Sequence, residues 1–112
     1  VTSVPLLPLA ALAVLLAHDP QELDADWFNS LRGPEEGVSC CGNHHDCATV
    51  SDYRPGEIPG SYRALLNGEW LDVPAFVVLE RADNPTGLPV LCIGRDHTGR
   101  PFARCFVRPS EG

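Results

Sequence analysis

One stretch decides the fold class: Ser61-Tyr62-Arg63-Ala64-Leu65-Leu66-Asn67-Gly68-Glu69-Trp70-Leu71-Asp72-Val73. Asn67-Gly68 is a strong two-residue hairpin signal, because both turn positions need positive φ. Glycine adopts that region freely and asparagine tolerates it. The turn makes Ser61–Leu66 and Glu69–Val73 antiparallel strands, with Arg63 opposite Asp72 and Leu65 opposite Trp70. An opposite-charge pair and an apolar–aromatic pair both support that register.

A second hairpin follows from Thr98-Gly99. Read as a two-residue turn, it sets His97 opposite Arg100 and brings Cys92 directly opposite Cys105. Along that ladder the cysteine pair falls at a non-hydrogen-bonded site, where side chains approach most closely. Pro101 falls at the same kind of site, so its missing N–H removes no ladder bond.

Upstream, Asp19-Pro20-Gln21-Glu22 has the grammar of a helix start, and Leu23, Trp27 and Leu31 recur every four residues with Phe28 beside them. Gly33-Pro34 closes this short amphipathic helix, whose apolar stripe is expected over the core. A loop from Glu35 to Cys47 carries three cysteines, and one strand is expected near Ala48–Arg54, ended by Pro55-Gly56. Ala75–Leu79 is a brief apolar run, and Asn84-Pro85-Thr86-Gly87 reads as a turn with proline second. The expectation is an α+β, mostly β domain: one short N-terminal helix packed on antiparallel hairpins and stapled by disulfides.

Composition agrees. The chain has 112 residues, five cysteines, no methionine, 11 prolines and 10 glycines, which punctuate it too often for long helices. Val4–Ala17 is an uncharged apolar run of signal-peptide length, too short to span a bilayer comfortably, and the first charged residue is Asp19. No Lys or Arg precedes it, and the alternative is a buried N-terminal helix. Five cysteines favour export, since stable disulfides need an oxidising compartment. The expected division is therefore a signal segment over 1–17 and a single domain over 18–112, periplasmic or secreted, with no membrane span in the mature form. The net charge of −7 leaves no dense basic surface, which argues against nucleic-acid binding.

Several short motifs recur in a telling order: Asp26-Trp27-Phe28, Ser39-Cys40-Cys41-Gly42 with Asp46-Cys47, Gly68-Glu69-Trp70, Val73-Pro74, Asn84-Pro85-Thr86-Gly87, Cys92, and Cys105-Phe106 with Pro109. In this order they resemble a family of small, uncharacterised exported proteins common in alphaproteobacteria, over about Trp27 to Pro109. The resemblance implies export and a disulfide-bearing fold, and it brings no activity. Relatives often carry a histidine before the Asp-Trp-Phe run, where this chain has Ala25.

The densest set of chemical groups is Cys40-Cys41-Gly42-Asn43-His44-His45-Asp46-Cys47. Thiolate and imidazole suit copper or zinc, so Cys40, Cys41, Cys47, His44 and His45 are candidate ligands. His18 joins them, because cleavage after Ala17 would add a terminal amine to its imidazole. The spacing matches no standard zinc motif, however, and adjacent cysteines more often serve different disulfides. No Cys-x-x-Cys redox motif is present. A thiol enzyme pairing Cys41 or Cys47 with His44 lacks an identifiable orienting group, so no catalytic residue is assigned. The expected function is a non-enzymatic binding or structural module of unknown ligand, with metal binding and thiol chemistry as alternatives.

Two bridges among five cysteines leave one over, which can link two chains, bind metal or exchange disulfides. The hairpin register favours Cys92–Cys105, with Cys47 joined to Cys40 or Cys41. The rival sends Cys92 and Cys105 separately to the Cys40–Cys47 loop, where longer closed loops stabilise more. Arg95, Arg100 and Arg104 fall on one face of that hairpin, as an anion patch or, in the preferred reading, as partners for the acidic N-terminal half or as solvent-facing residues.

Overall fold

The computed structural model describes residues 24–33, 37–41 and 46–110. The 1–17 segment, the helix-start residues 19–22, and His18, His44 and His45 lie outside these described residues. Within them are one helix, α1 (Ala25–Ser30), and six strands: β1 (Cys47–Thr49), β2 (Tyr53–Pro55), β3 (Tyr62–Leu66), β4 (Glu69–Val73), β5 (Val90–Arg95) and β6 (Pro101–Val107). They form two antiparallel three-stranded sheets, ordered β1-β5-β6 and β2-β3-β4. The mostly β class with one short helix is the one expected.

The first hairpin has its expected register, Arg63 opposite Asp72 and Leu65 opposite Trp70. Asn67 and Gly68 hold φ of 51° and 82°, the conformation for which this dipeptide is suited. The expected strand at Ala48–Arg54 is corrected. The chain leaves β1 at Val50, whose N–H donates to the Pro89 carbonyl, and crosses through Ser51-Asp52 into the other sheet as β2. A sheet change needs a break in the ladder, and the exposed Ser51-Asp52 pair supplies it. The apolar run after Pro74 forms a single 3₁₀ turn, Ala75–Val77.

β5 lies between β1 and β6, and the sheet they form is covered on both faces. On one face Val90, Cys92, Cys105 and Val107 pack with Phe28 and Leu31 from the helical segment and with Cys40, Cys41 and Cys47. On the other, Leu91, Ala103 and Phe106 pack with Ala64 and Val73 of the second sheet, beside Tyr53 and Tyr62. Burial on both faces explains why Val90-Leu91-Cys92-Ile93 is continuously apolar rather than alternating.

The second hairpin reaches its register by a different route from the two-residue turn. The connection is a loop over 96–100, in which the Asp96 N–H donates to the Arg100 carbonyl and Gly99 N–H to the Asp96 carbonyl. The Asp96 carboxylate accepts from the N–H groups of Thr98 and Arg100 and from the Thr98 hydroxyl. The ladder therefore starts with Arg95 opposite Pro101, one residue out of the expected step. A β-bulge then restores it: Ile93 opposes Ala103 while Cys92 opposes Cys105, so Arg104 is the extra residue. The bulge keeps Ala103 on the Phe106 side of the sheet.

Candidate functional site

Three strands set three cysteines in a row across one face of the sheet. Cys47 on β1 faces Cys92 on β5, and Cys92 faces Cys105 on β6. Cys92 thus has a cysteine on each side. The loop above this row is closed by an isolated bridge between Arg32 and Ser39, and the Cys40 N–H donates to the Leu31 carbonyl. These contacts lower Cys40 and Cys41 onto the row.

The bridges formed are Cys40–Cys105, with Cα atoms 5.8 Å apart, and Cys47–Cys92, with Cα atoms 3.9 Å apart. The expected Cys92–Cys105 bridge is overturned, as is the local bridge from Cys47 to Cys40 or Cys41. The two hairpin cysteines do oppose one another, as the register required. Each bonds elsewhere because β1 occupies the other edge of β5 and offers Cys47, while the loop delivers Cys40 above Cys105. Both hairpin cysteines therefore staple the N-terminal segments to the sheet, as in the rival arrangement.

Cys41 stands outside both bridges and keeps its thiol, 4% exposed. Its Sγ lies 2.9 Å from Cys47 Sγ and 3.4 Å from the Phe28 carbonyl oxygen, to which the S–H can donate. The Sγ atoms of Cys41, Cys47 and Cys92 lie within 4.8 Å of one another. All three residues are buried, against Phe28, Leu31, Val90 and Val107. Three polarisable sulfurs stand together in an apolar setting, two of them joined as the Cys47–Cys92 disulfide, and a thiol touching a disulfide sulfur is the starting geometry for exchange.

The extra residue of the bulge holds this cluster in place. Arg104 Nη2 donates to the Ser39 carbonyl at 2.9 Å, and its Nη1 lies 3.7 Å from an Asp46 carboxylate oxygen. Ser39 precedes Cys40 and Asp46 precedes Cys47, so one guanidinium tethers both ends of the cysteine loop. The Asp46 N–H donates to the Cys41 carbonyl and the Ile93 N–H to the Asp46 carbonyl, which ties the loop to β5. Arg104 thus partners the acidic N-terminal half, as expected of it, but its clamp on Ser39 was not foreseen. Only the bulge aims it there, and no sequence signal marks the bulge. Arg95, by contrast, folds back on the tip, donating to the Gly99 carbonyl.

The remaining candidates lie apart. His97 is exposed at the tip of the β5–β6 loop. Arg54 covers the Trp70 ring at 4.1 Å, and Trp27 packs edge-on against Phe28 with ring centroids 5.1 Å apart. Among the described residues no helix is long and apolar enough to cross a membrane. Compared with known proteins, the chain matches no family model, no curated protein and no solved structure.

Proposed function

We propose that the protein is a small exported binding module whose ligand is a soft metal ion, copper(I) or zinc, taken at Cys41, Cys47 and Cys92. The observation that carries this reading is the approach of three buried sulfurs to within 4.8 Å of one another. Export is supported by the two disulfides, by the apolar run at 4–17, and by the resemblance to small exported cysteine-rich proteins.

Cys47 and Cys92 are bonded to each other in the structure, so the ion is taken after a dithiol reductant has opened that bridge. Opening Cys47–Cys92 yields three thiol ligands at one point, and Cys40–Cys105 lies outside this donor set. Burial limits access of water as a further ligand, which suits copper(I) in low coordination. Zinc asks for a fourth ligand, for which His44 and His45 are the nearest candidates in sequence.

The test is metal loading of the reduced, folded protein with copper(I) or zinc under competition from a chelator. About one equivalent per chain is expected, and Cys41→Ser should weaken it, because it removes one of the three thiolate ligands. Reduced parent protein that takes up neither ion overturns the proposal.

A further inference from the structure

We infer that the protein carries out an internal thiol–disulfide exchange, with Cys41 as nucleophile, Cys47 as the shared sulfur and Cys92 as leaving group. The inference goes beyond metal binding and needs no metal. It starts from the contact of Cys41 Sγ with Cys47 Sγ at 2.9 Å, inside the sum of two sulfur van der Waals radii. Cys47 is already bonded to Cys92, so attack at Cys47 exchanges one bridge for another.

The step balances within the chain. Cys41 loses its proton, and the thiolate forms a bond to Cys47 Sγ as the Cys47–Cys92 bond breaks. The electron pair leaves on Cys92 Sγ, which takes up a proton. One disulfide and one thiol stand on each side, so no outside oxidant or reductant is consumed.

Backbone bonds independent of sulfur hold the partners together in both states. The Asp46 N–H to Cys41 carbonyl bond, 3.3 Å, keeps Cys41 and Cys47 adjacent. On the other side, β1 stays paired with β5 through Cys47, Ala48 and Thr49. That pairing is flanked by Ile93 N–H to the Asp46 carbonyl and Val50 N–H to the Pro89 carbonyl. Cys92 therefore remains beside Cys47 after its bond breaks, and the exchange can run back. Its effect is to replace a bridge of sequence separation 45 by one of separation 6, and to move the thiol from the loop to the middle strand.

The missing lysines make the assay clean. Trypsin, which cuts after arginine but not before proline, leaves Cys41 on the 33–63 peptide and Cys92 on the 82–95 peptide. The oxidised protein is held without reductant at several pH values, quenched in acid, unfolded, alkylated and digested. Label is expected on both peptides. Cys92→Ser refolded in a glutathione redox buffer should close Cys41–Cys47, and Cys41→Ser should hold Cys47–Cys92. Label confined to the 33–63 peptide at every pH overturns the inference. So does a folded Cys92→Ser protein with both Cys41 and Cys47 alkylated. If Cys92→Ser does not fold, labelling of the parent protein decides.

Discussion

Replacing Cys40 and Cys105 together by alanine removes the outer staple, and its worth can be worked from the connectivity. The bridge spans a sequence separation of 65, for which loop closure alone gives about 4 kcal/mol. The inner Cys47–Cys92 bridge lies within that loop and already shortens it. With the inner bridge closed, the outer one constrains only the stretches 40–47 and 92–105, roughly twenty residues, which lowers the figure to about 3 kcal/mol. The expected loss is therefore about 3–4 kcal/mol, a large share of what a domain of this size holds in reserve. The measurement is urea unfolding under non-reducing conditions. With a slope of about 2 kcal/mol per molar, the midpoint should fall by about 1.5–2 M. A fall below about 0.5 M would falsify the long-range staple. So would a parent digest in which the 82–95 peptide is joined to the peptide beginning at Cys105 rather than to 33–63.

Three further outcomes follow from single contacts. Gly68→Val should destabilise the first hairpin by about 1 kcal/mol or more in the same assay, since Gly68 sits at φ 82° where a β-branched residue is strained; equal stability would refute the turn. Asn84→Ala should cost about 2 kcal/mol or more, because the buried amide donates to the Leu88 and Arg108 carbonyls and accepts from Thr86; a loss below about 0.5 kcal/mol contradicts that role. Arg81 donates through Nε and Nη2 to both carboxylate oxygens of Asp83 and holds that carboxyl well below the usual range. A depressed folded pKa contributes stability above the unfolded value of about 4 and loses it as pH falls through the folded value. Asp83→Asn should therefore narrow the gap between neutral and acid stability, and a pH profile parallel to the parent's would refute the pair.

What the sequence determined by itself was local. Asn67-Gly68 sets the first hairpin's register because the positive φ at both positions is a property of those two residues, wherever the hairpin packs. The apolar stripe was legible in part: Phe28 is buried on α1 with Trp27 packed beside it, while Leu31 is buried as an extended residue just past the helix, which ends at Ser30 before the expected Gly33-Pro34. Opposition of Cys92 to Cys105 was also readable, although the loop over 96–100 and the Arg104 bulge reach it by two compensating one-residue shifts. Only the tertiary structure decided the bridges. A disulfide forms between sulfurs that meet, and which sulfurs meet depended on β1 joining the far edge of β5 and on the loop lying over β6. These are contacts between residues 45 and 65 positions apart, beyond the reach of turn grammar or side-chain periodicity. The candidate site divides along the same line. Cys41 and Cys47 were expected as ligands from the loop, but Cys92 was expected only as a disulfide partner; its meeting with Cys41 and Cys47 arises only when sheet pairing and the Arg104 clamp bring a loop and two strands to one point.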